Sequence, residues 1–486
     1  MTMPSFHVIL NCKIGKKSIS TAQILRAKPK LILKLQIMRL FLLLIIFFLS
    51  PAASFSSDTR DTNVIIISLT ALRADHLKSY GYRLNTAPHI DKFSRHAVVF
   101  EHAITQSNWT LPAQSAIFTS KYVHSHGIYE RDRKLSAQEL TLAEILKIYG
   151  YTTAAFVGGL DMVKTYGLDQ GFDLYDDDTN GAPVGSFRDI IPKATSWVKK
   201  NKDKRFFLFL QGYDIHPPFN KPEPFCSMYD PNYNGVLSGL SIDYRLLKNI
   251  VGDAMQYNGK SIKLTPADLR HVIALYDGSI SYADSYIGQL LNEIEKLQLA
   301  DKTLIIITAE HGEELSDHGS FDRFGQGNLY DEVVRVPLII KYPGSKSGNM
   351  RIKEQIQMID IVPTVLGLLR IPINPEIQGV NLAPLFTGGH VNFTQFAYAE
   401  ASPIKWAIRT SNWKLIANSG KYELYDLKHD VAEKNNLADQ QSDRVYELVQ
   451  KLLDWRKQTQ ADTGHDITKI EITDEMKKKL QAAGYW

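Results

Sequence analysis

Asn63-Val64-Ile65-Ile66-Ile67-Ser68-Leu69-Thr70-Ala71-Leu72-Arg73-Ala74-Asp75-His76 is the stretch on which the fold turns. Its first seven residues form an apolar run rich in β-branched side chains, without polar alternation. That suits a strand buried on both faces of a parallel sheet. Runs of the same texture recur at Thr153–Val157, Phe206–Leu210, Thr303–Thr308 and Val336–Lys341. Helical patterns alternate with them at Leu142–Tyr149, Ile191–Lys200, Leu275–Leu297 and Ile359–Leu369. This alternation predicts an α/β domain, with a large, mostly parallel sheet flanked by helices. In such sheets ligands gather at the carboxyl ends of the strands.

The last ninety or so residues read differently. Tyr398–Glu400, Trp406–Arg409, Trp413–Ala417 and Glu423–Tyr425 are short strand-like pieces, and an amphipathic pattern covers Asp443–Lys457. They predict a small C-terminal α+β domain, an antiparallel sheet with one helix. The Pro-, Asn- and Gly-containing stretch Ile371–Gly389 is the connector. The expected division is residues 58–380 for the large domain and 381–486 for the small one. The tail after Lys457 reads as polar and irregular, returning at Ile467–Lys479.

Composition bounds the function. The net charge is +4, but residues 1–57 hold eight Lys and Arg and no Asp or Glu, which leaves −4 for the rest. A nucleic-acid binder held by general basic charge is therefore not expected. Met38-Arg39, the apolar run Leu40–Leu49 and Ser50-Pro51-Ala52-Ala53-Ser54 follow the order of a secretory signal. The signal proper spans 38–56, residues 1–37 read as an upstream extension, and export to a periplasm or the exterior is expected. The alternative is an uncleaved segment that anchors the protein at a membrane. The two cysteines are Cys12 and Cys226. With Cys12 ahead of the signal, no internal disulfide and no cysteine metal site is expected.

Four loops carry chemistry. Thr70 follows the first strand. Thr110, in Asn108-Trp109-Thr110-Leu111-Pro112-Ala113-Gln114-Ser115, opens a helix that runs to about Thr119, with Pro112 in its first turn. Unpaired N–H groups and the helix dipole favour negative charge there, so an alkoxide or a bound anion is stabilised. On spacing alone a plain N-cap role is the better explanation of Thr110. Asp214-Ile215-His216 follows the Phe206–Leu210 strand, and Glu310-His311 follows Thr303–Thr308. One oxygen and one nitrogen ligand side by side suit Zn²⁺ or Mn²⁺ better than Ca²⁺.

Taken with NVIIISLTALRADHLKSYGY (63–82), VVFEHAITQSNWTLPAQSAIFTS (98–120), TLIIITAEHGEELSDHG (303–319), LYDEVVRVPLIIKYPG (329–344) and KYELYDLKHDVAEKNNLA (421–438), these loops resemble the sulfatase family of the alkaline-phosphatase superfamily. The resemblance runs from about Asn63 to about Trp455. It implies metal-assisted displacement at sulfur or phosphorus. Thr110 matches the nucleophile. Thr70, Thr110, Glu310 and His311 match the metal positions, and His216 matches a His that contacts the substrate or leaving group. Gln114, Asp214 and Gln326 stand where the substrate is met. The expected substrate is a small molecule, glycan or lipid ester bearing sulfate or phosphate.

The departures from the pattern cluster at the site. Thr-Leu-Pro-Ala-Gln (110–114) lacks the Cys or Ser that sulfatases convert to formylglycine, and a Thr there resembles the superfamily's phosphodiesterases and phosphoglycerol transferases. Thr70 replaces the leading Asp, Glu310 replaces an Asp, Gln211 a His, Gln326 a Lys, and Ala113 and Gln114 a Ser and an Arg or His. One divalent ion (Mn, Zn, Ca or Mg) is implied as cofactor, but with so little negative charge it would be held weakly or lost. Three readings stand: an ester hydrolase or transferase using Thr110, a pseudoenzyme that binds a sulfated or phosphorylated ligand without turnover, and a structural or interaction protein on the same fold.

Overall fold

The computed structural model describes residues 61–321, 327–343, 350–459 and 468–482. The signal segment and Gln326 lie outside the described residues. Among those described, no helix is long and apolar enough to cross a membrane.

Eight strands form the main sheet: β1 (Asn63–Leu69), β2 (Val98–Ile104), β3 (Thr152–Val157), β4 (Leu174–Asp176), β5 (Phe206–Gly212), β6 (Thr303–Thr308), β7 (Arg335–Lys341) and β8 (Met350–Gln357). Their order is β8-β2-β7-β6-β1-β5-β3-β4. β1 is central and parallel to both β6 and β5, and β3 is parallel to β5 and β4. β7 runs antiparallel to β6 and β2. Every residue of β1, β5 and β6 is buried, as continuous apolar runs require when helices cover both faces. The helices that matter for the site are α1 (Thr110–Thr119), α2 (Phe187–Asn201), α3 (Pro266–Lys296) and α4 (Ile361–Leu368).

A second, antiparallel sheet follows in simple order: β9 (Ala397–Ser402), β10 (Lys405–Arg409), β11 (Trp413–Asn418) and β12 (Lys421–Asp426). Helix α5 (Ser442–Thr459) packs on it through Val445, Leu448, Leu452 and Trp455, which share a cluster with Ile408, Leu415 and Leu424. The fold class expected from the sequence is the one observed. Three differences are instructive. β2 and β8 escape the apolar-run reading, because VVFEHAI and MRIKEQIQ mix charged residues into the edge strand β8 and its neighbour β2. α3 begins nine residues before the apolar pattern does, at a Thr265–Asp268 capping box with Pro266 at its start. Where the tail was expected to return, its described residues are regular: Thr468–Lys469 pair with Arg133–Lys134, and α6 (Asp474–Ala482) follows.

Buried charge ties the two sheets together. Asp331 accepts hydrogen bonds from Arg409 (2.8 Å) and Lys414 (2.9 Å). Lys414 also faces Glu433 at 3.0 Å. Arg409 and Lys414 hold Asp331 well below the usual carboxylate range, although burial opposes this. Paired this way the charges are tolerated inside, and removing one partner would strand the others.

Asp360 precedes α4 and is almost fully buried. Its oxygens accept the Gln357 and Val380 N–H groups at 2.8 and 2.7 Å. Burial pushes its pKa up to about 7, with those two hydrogen bonds opposing. The folded value lies above the unfolded value of about 3.9, so this group's stability contribution is complete below about pH 4 and is lost as pH rises through about 7. Urea midpoints are expected to fall between about pH 5 and pH 8, and Asp360→Asn to flatten that part of the profile while lowering stability throughout. A variant profile parallel to that of the wild type would refute the assignment.

Candidate active site

Parallel pairing brings the chemistry together. Ser68 lies in register with Gln211 on one side and Thr308 on the other. The loops after β1, β5 and β6 therefore leave the sheet at one edge, as the topology demands. The Thr70 N–H donates to Gly212 O at 3.2 Å. After Thr70 the chain turns through Ala71, which has φ +70°, a left-handed conformation that costs about 1–2 kcal/mol for a residue with a Cβ. Tyr276 of α3 pins this turn: its hydroxyl donates to Ala71 O at 2.7 Å and accepts from the Arg73 N–H at 2.9 Å.

α1 carries Thr110 at its first position. The N-cap is Trp109, whose side chain makes no capping bond, so Thr110 is not the N-cap. Its Oγ1 lies 3.1 Å from His311 Nε2. His311 Nδ1 lies 2.8 Å from Gly312 O, and a carbonyl only accepts, so Nδ1 carries the proton. Nε2 is then left with a lone pair, and the Thr110 hydroxyl donates to it.

Beside this pair sits Glu310. Its Oε2 accepts from Ser68 Oγ at 2.8 Å, while Gln114 Nε2 reaches Ser68 Oγ at 2.8 Å and Glu310 Oε2 at 3.4 Å. Glu310 Oε1 is 3.7 Å from His311 Nε2. Burial raises the Glu310 pKa, and the hydroxyls of Ser68, Thr70 and Thr110 offset part of the rise. Gln211 Oε1 accepts the Gly158 N–H at 2.9 Å, which turns its amide nitrogen toward Thr70 Oγ1 at 2.5 Å. Thr70, Thr110, Gln114, Glu310 and His311 thus form one contiguous cluster, each of them 2% exposed or less.

The other expected residues are held by contacts to their own loops and neighbouring elements. His216 follows β5 and donates Nδ1–H to Pro217 O at 2.8 Å, and its ring packs between Tyr213 and Tyr244. Asp214 is drawn to the start of α2, accepting from Ser186 Oγ (2.5 Å) and the Phe187 N–H (2.7 Å). Ser68 escapes the sequence reading although its signal is legible: it lies two residues before Thr70, on the same face of the strand. Arg131 escapes it too. It pairs with Asp161 at 2.6 and 2.7 Å and lies 4.9 Å over the Trp109 ring, bracing the residue that precedes Thr110.

Among the described residues, no group of three or more His, Cys, Asp or Glu is arranged to hold a metal. Yet Glu310 Oε1 and Gln114 Oε1 are buried acceptors without a hydrogen-bond partner among the described residues, next to the Nε2 lone pair of His311. Acceptors left this way suit a cation, and a single formal negative charge suits only loose binding.

A family model described as Sulfatase matches residues 62–371, and one described as N-sulphoglucosamine sulphohydrolase, C-terminal, matches residues 316–460. Arylsulfatase K of Mus musculus is 24% identical over 439 residues, covering 80% of this chain and 78% of that protein. The N-acetylglucosamine-6-O-sulfatase of Bacteroides thetaiotaomicron is 23% identical, covering 82% and 87%. The crystal structure of the phosphonate monoester hydrolase of Agrobacterium radiobacter superposes with a TM-score of 0.67 at 21% identity, covering 85% of this chain and 98% of that one. With the Sulfatase match spanning more than half of its length, the chain belongs to the sulfatase family.

Proposed function

We propose that this protein is an exported hydrolase or transferase of sulfate or phosphate esters whose attacking group is Thr110. The observation that carries the reading is the Thr110 Oγ1–His311 Nε2 contact of 3.1 Å at the N-terminus of α1. Thr110 Oγ attacks sulfur or phosphorus and forms an O–S or O–P bond. The ester bond to the leaving oxygen breaks, and that oxygen departs as an alcohol or phenol once protonated. His216, whose Nδ1–H is held by Pro217 O, is the residue for that protonation by resemblance, and it gives the proton from Nε2 of its protonated ring, which returns to neutral imidazole. Water, or an acceptor alcohol, then displaces Thr110 and restores its hydroxyl.

Glu310, His311, Thr110 and Thr70 are the residues that would hold a divalent ion. When bound, such an ion neutralises the ester oxygens and makes the Thr110 hydroxyl more acidic. The Thr110 proton goes to His311 Nε2 when that lone pair is open, and to Glu310 when the ring is engaged. The N–H groups of α1 favour the developing negative charge.

A second reading, ligand binding without turnover, has its own support. Gln211 is locked against Thr70 by Gly158, and Gln114 places an amide beside Glu310. Neutral donors thus stand around the carboxylate. One experiment separates the two: 4-nitrophenyl sulfate, bis(4-nitrophenyl) phosphate and a 4-nitrophenyl phosphonate, each assayed with and without Mn²⁺. Turnover above buffer that rises with Mn²⁺ supports the hydrolase. No turnover, with a melting temperature raised by inorganic sulfate or phosphate, supports the binder. Neither effect overturns both.

A further inference from the structure

The family matches end at residue 460, but the chain does not. Beyond them, Thr468–Lys469 and α6 lie against the loops that build the site. The Ile470 N–H donates to Asp132 O at 2.8 Å. Leu480, 3% exposed, packs in one cluster with Leu160 and Tyr213, flanked by Val184 and Ile472. Arg245 donates to Gln481 O at 3.1 Å.

Each anchor is the chain neighbour of a residue that shapes the site. Asp132 follows Arg131, which stacks on Trp109 beside Thr110. Leu160 precedes Asp161, the partner of Arg131, and lies two residues after Gly158, which locks Gln211. Tyr213 packs its ring edge-on to His216 at 5.7 Å, and Arg245 follows Tyr244, whose ring stacks on His216 at 5.8 Å. The clamped residues are closed in: Thr110 is 2% and His216 1% exposed.

We propose that residues 468–482 form a strap that positions the loops bearing His216 and Asp161 and restricts which esters reach Thr110. The substrate part rests on the hydrolase reading above; the clamping part does not. The strap holds through one fully buried side chain, Leu480, with half-buried Ile470, Ile472 and Met476, a two-residue β pair and the Ile470–Asp132 and Arg245–Gln481 hydrogen bonds. Burying a leucine is worth only about 1.5–3 kcal/mol. The strap therefore opens locally, far below the cost of unfolding the main sheet.

The test compares the full chain with Leu480→Asp, Leu480→Met and a chain ending at Thr459. Amide hydrogen exchange is read at residues 158–162 and 213–219, with β1 and β6 as internal reference. Leu480→Asp and the truncation are expected to speed exchange in those loops about tenfold or more with β1 and β6 unchanged, while Leu480→Met stays as the wild type. In the same preparations, kcat/KM for a sulfated oligosaccharide relative to that for 4-nitrophenyl sulfate is expected to rise about fivefold or more on release, as an occluded site opens to larger esters. Loop exchange unchanged in both released variants overturns the strap. Faster loops with an unchanged substrate ratio overturn its gating role and leave the clamp. Faster loops in a chain that turns over no ester support the clamp and count against the hydrolase reading alone.

Discussion

Thr110→Ala is expected to remove turnover, lowering kcat/KM by about three orders of magnitude or more, because no other hydroxyl takes its place at the start of α1. Thr110→Ser should retain measurable activity, since it keeps an oxygen in the same position. The variant must also be judged on stability. Without the Thr110 hydroxyl the Nε2 of His311 loses a buried partner, a loss of about 1–3 kcal/mol. Urea denaturation of Thr110→Ala should show a deficit of that size, with an unchanged dependence on denaturant. An Ala variant that is stable, folded and still active would move the nucleophile elsewhere. The decisive measurement is kcat/KM on whichever aryl ester the wild type hydrolyses best.

Thr70→Asp is expected to do two opposite things. In chelator it places a second buried carboxylate beside Glu310, whose own pKa is already raised by burial. Two such charges in one dry pocket repel, so the melting temperature should drop. In Mn²⁺ the same pair supplies the charge a divalent ion lacks in the wild type, and affinity should rise by about 10- to 100-fold. The melting temperature should then recover with added Mn²⁺, because a ligand that binds only the folded state stabilises it by mass action. Titration calorimetry and thermal shift read both effects without reference to activity. The Gln211–Thr70 hydrogen bond adds a refinement. Gln211 keeps its amide nitrogen toward position 70 because Gly158 fixes its oxygen, so it should donate to the new Asp and soften the repulsion. If the affinity for Mn²⁺ is unchanged in Thr70→Asp, residue 70 is not part of a cation site.

The sequence was most legible where burial on both faces forces a continuous apolar run. β1 and β6 match that reading end to end, and β5 extends it by two residues. It was least legible at β2 and β8, where Glu101 and His102, or Arg351, Lys353 and Glu354, interrupt the pattern. Both strands pair near the antiparallel side of the sheet, where side chains can reach water, so alternation is tolerated. Of the site, Thr110, Glu310 and His311 could be picked out by their place after a strand or at a helix start. Ser68 could have been found from the two-residue period of β1. Arg131, Asp161 and Gly158 could not, because their roles arise from contacts between loops far apart in sequence.

Composition and periodicity alone established a doubly covered α/β sheet with a small antiparallel sheet after it, since burial of apolar runs admits few arrangements. They also narrowed the chemistry to four loops, those leaving the carboxyl ends of β1, β5 and β6 and the one that opens α1 at Thr110. What they could not decide was which side chains touch. That Glu310 is met by Ser68 and Gln114, that Gln211 turns its nitrogen to Thr70, and that the C-terminal helix reaches back to Leu160 and Tyr213 are consequences of packing. Hydrogen-bond direction and van der Waals contact depend on distances of a few ångströms across the fold, and a linear pattern does not encode them.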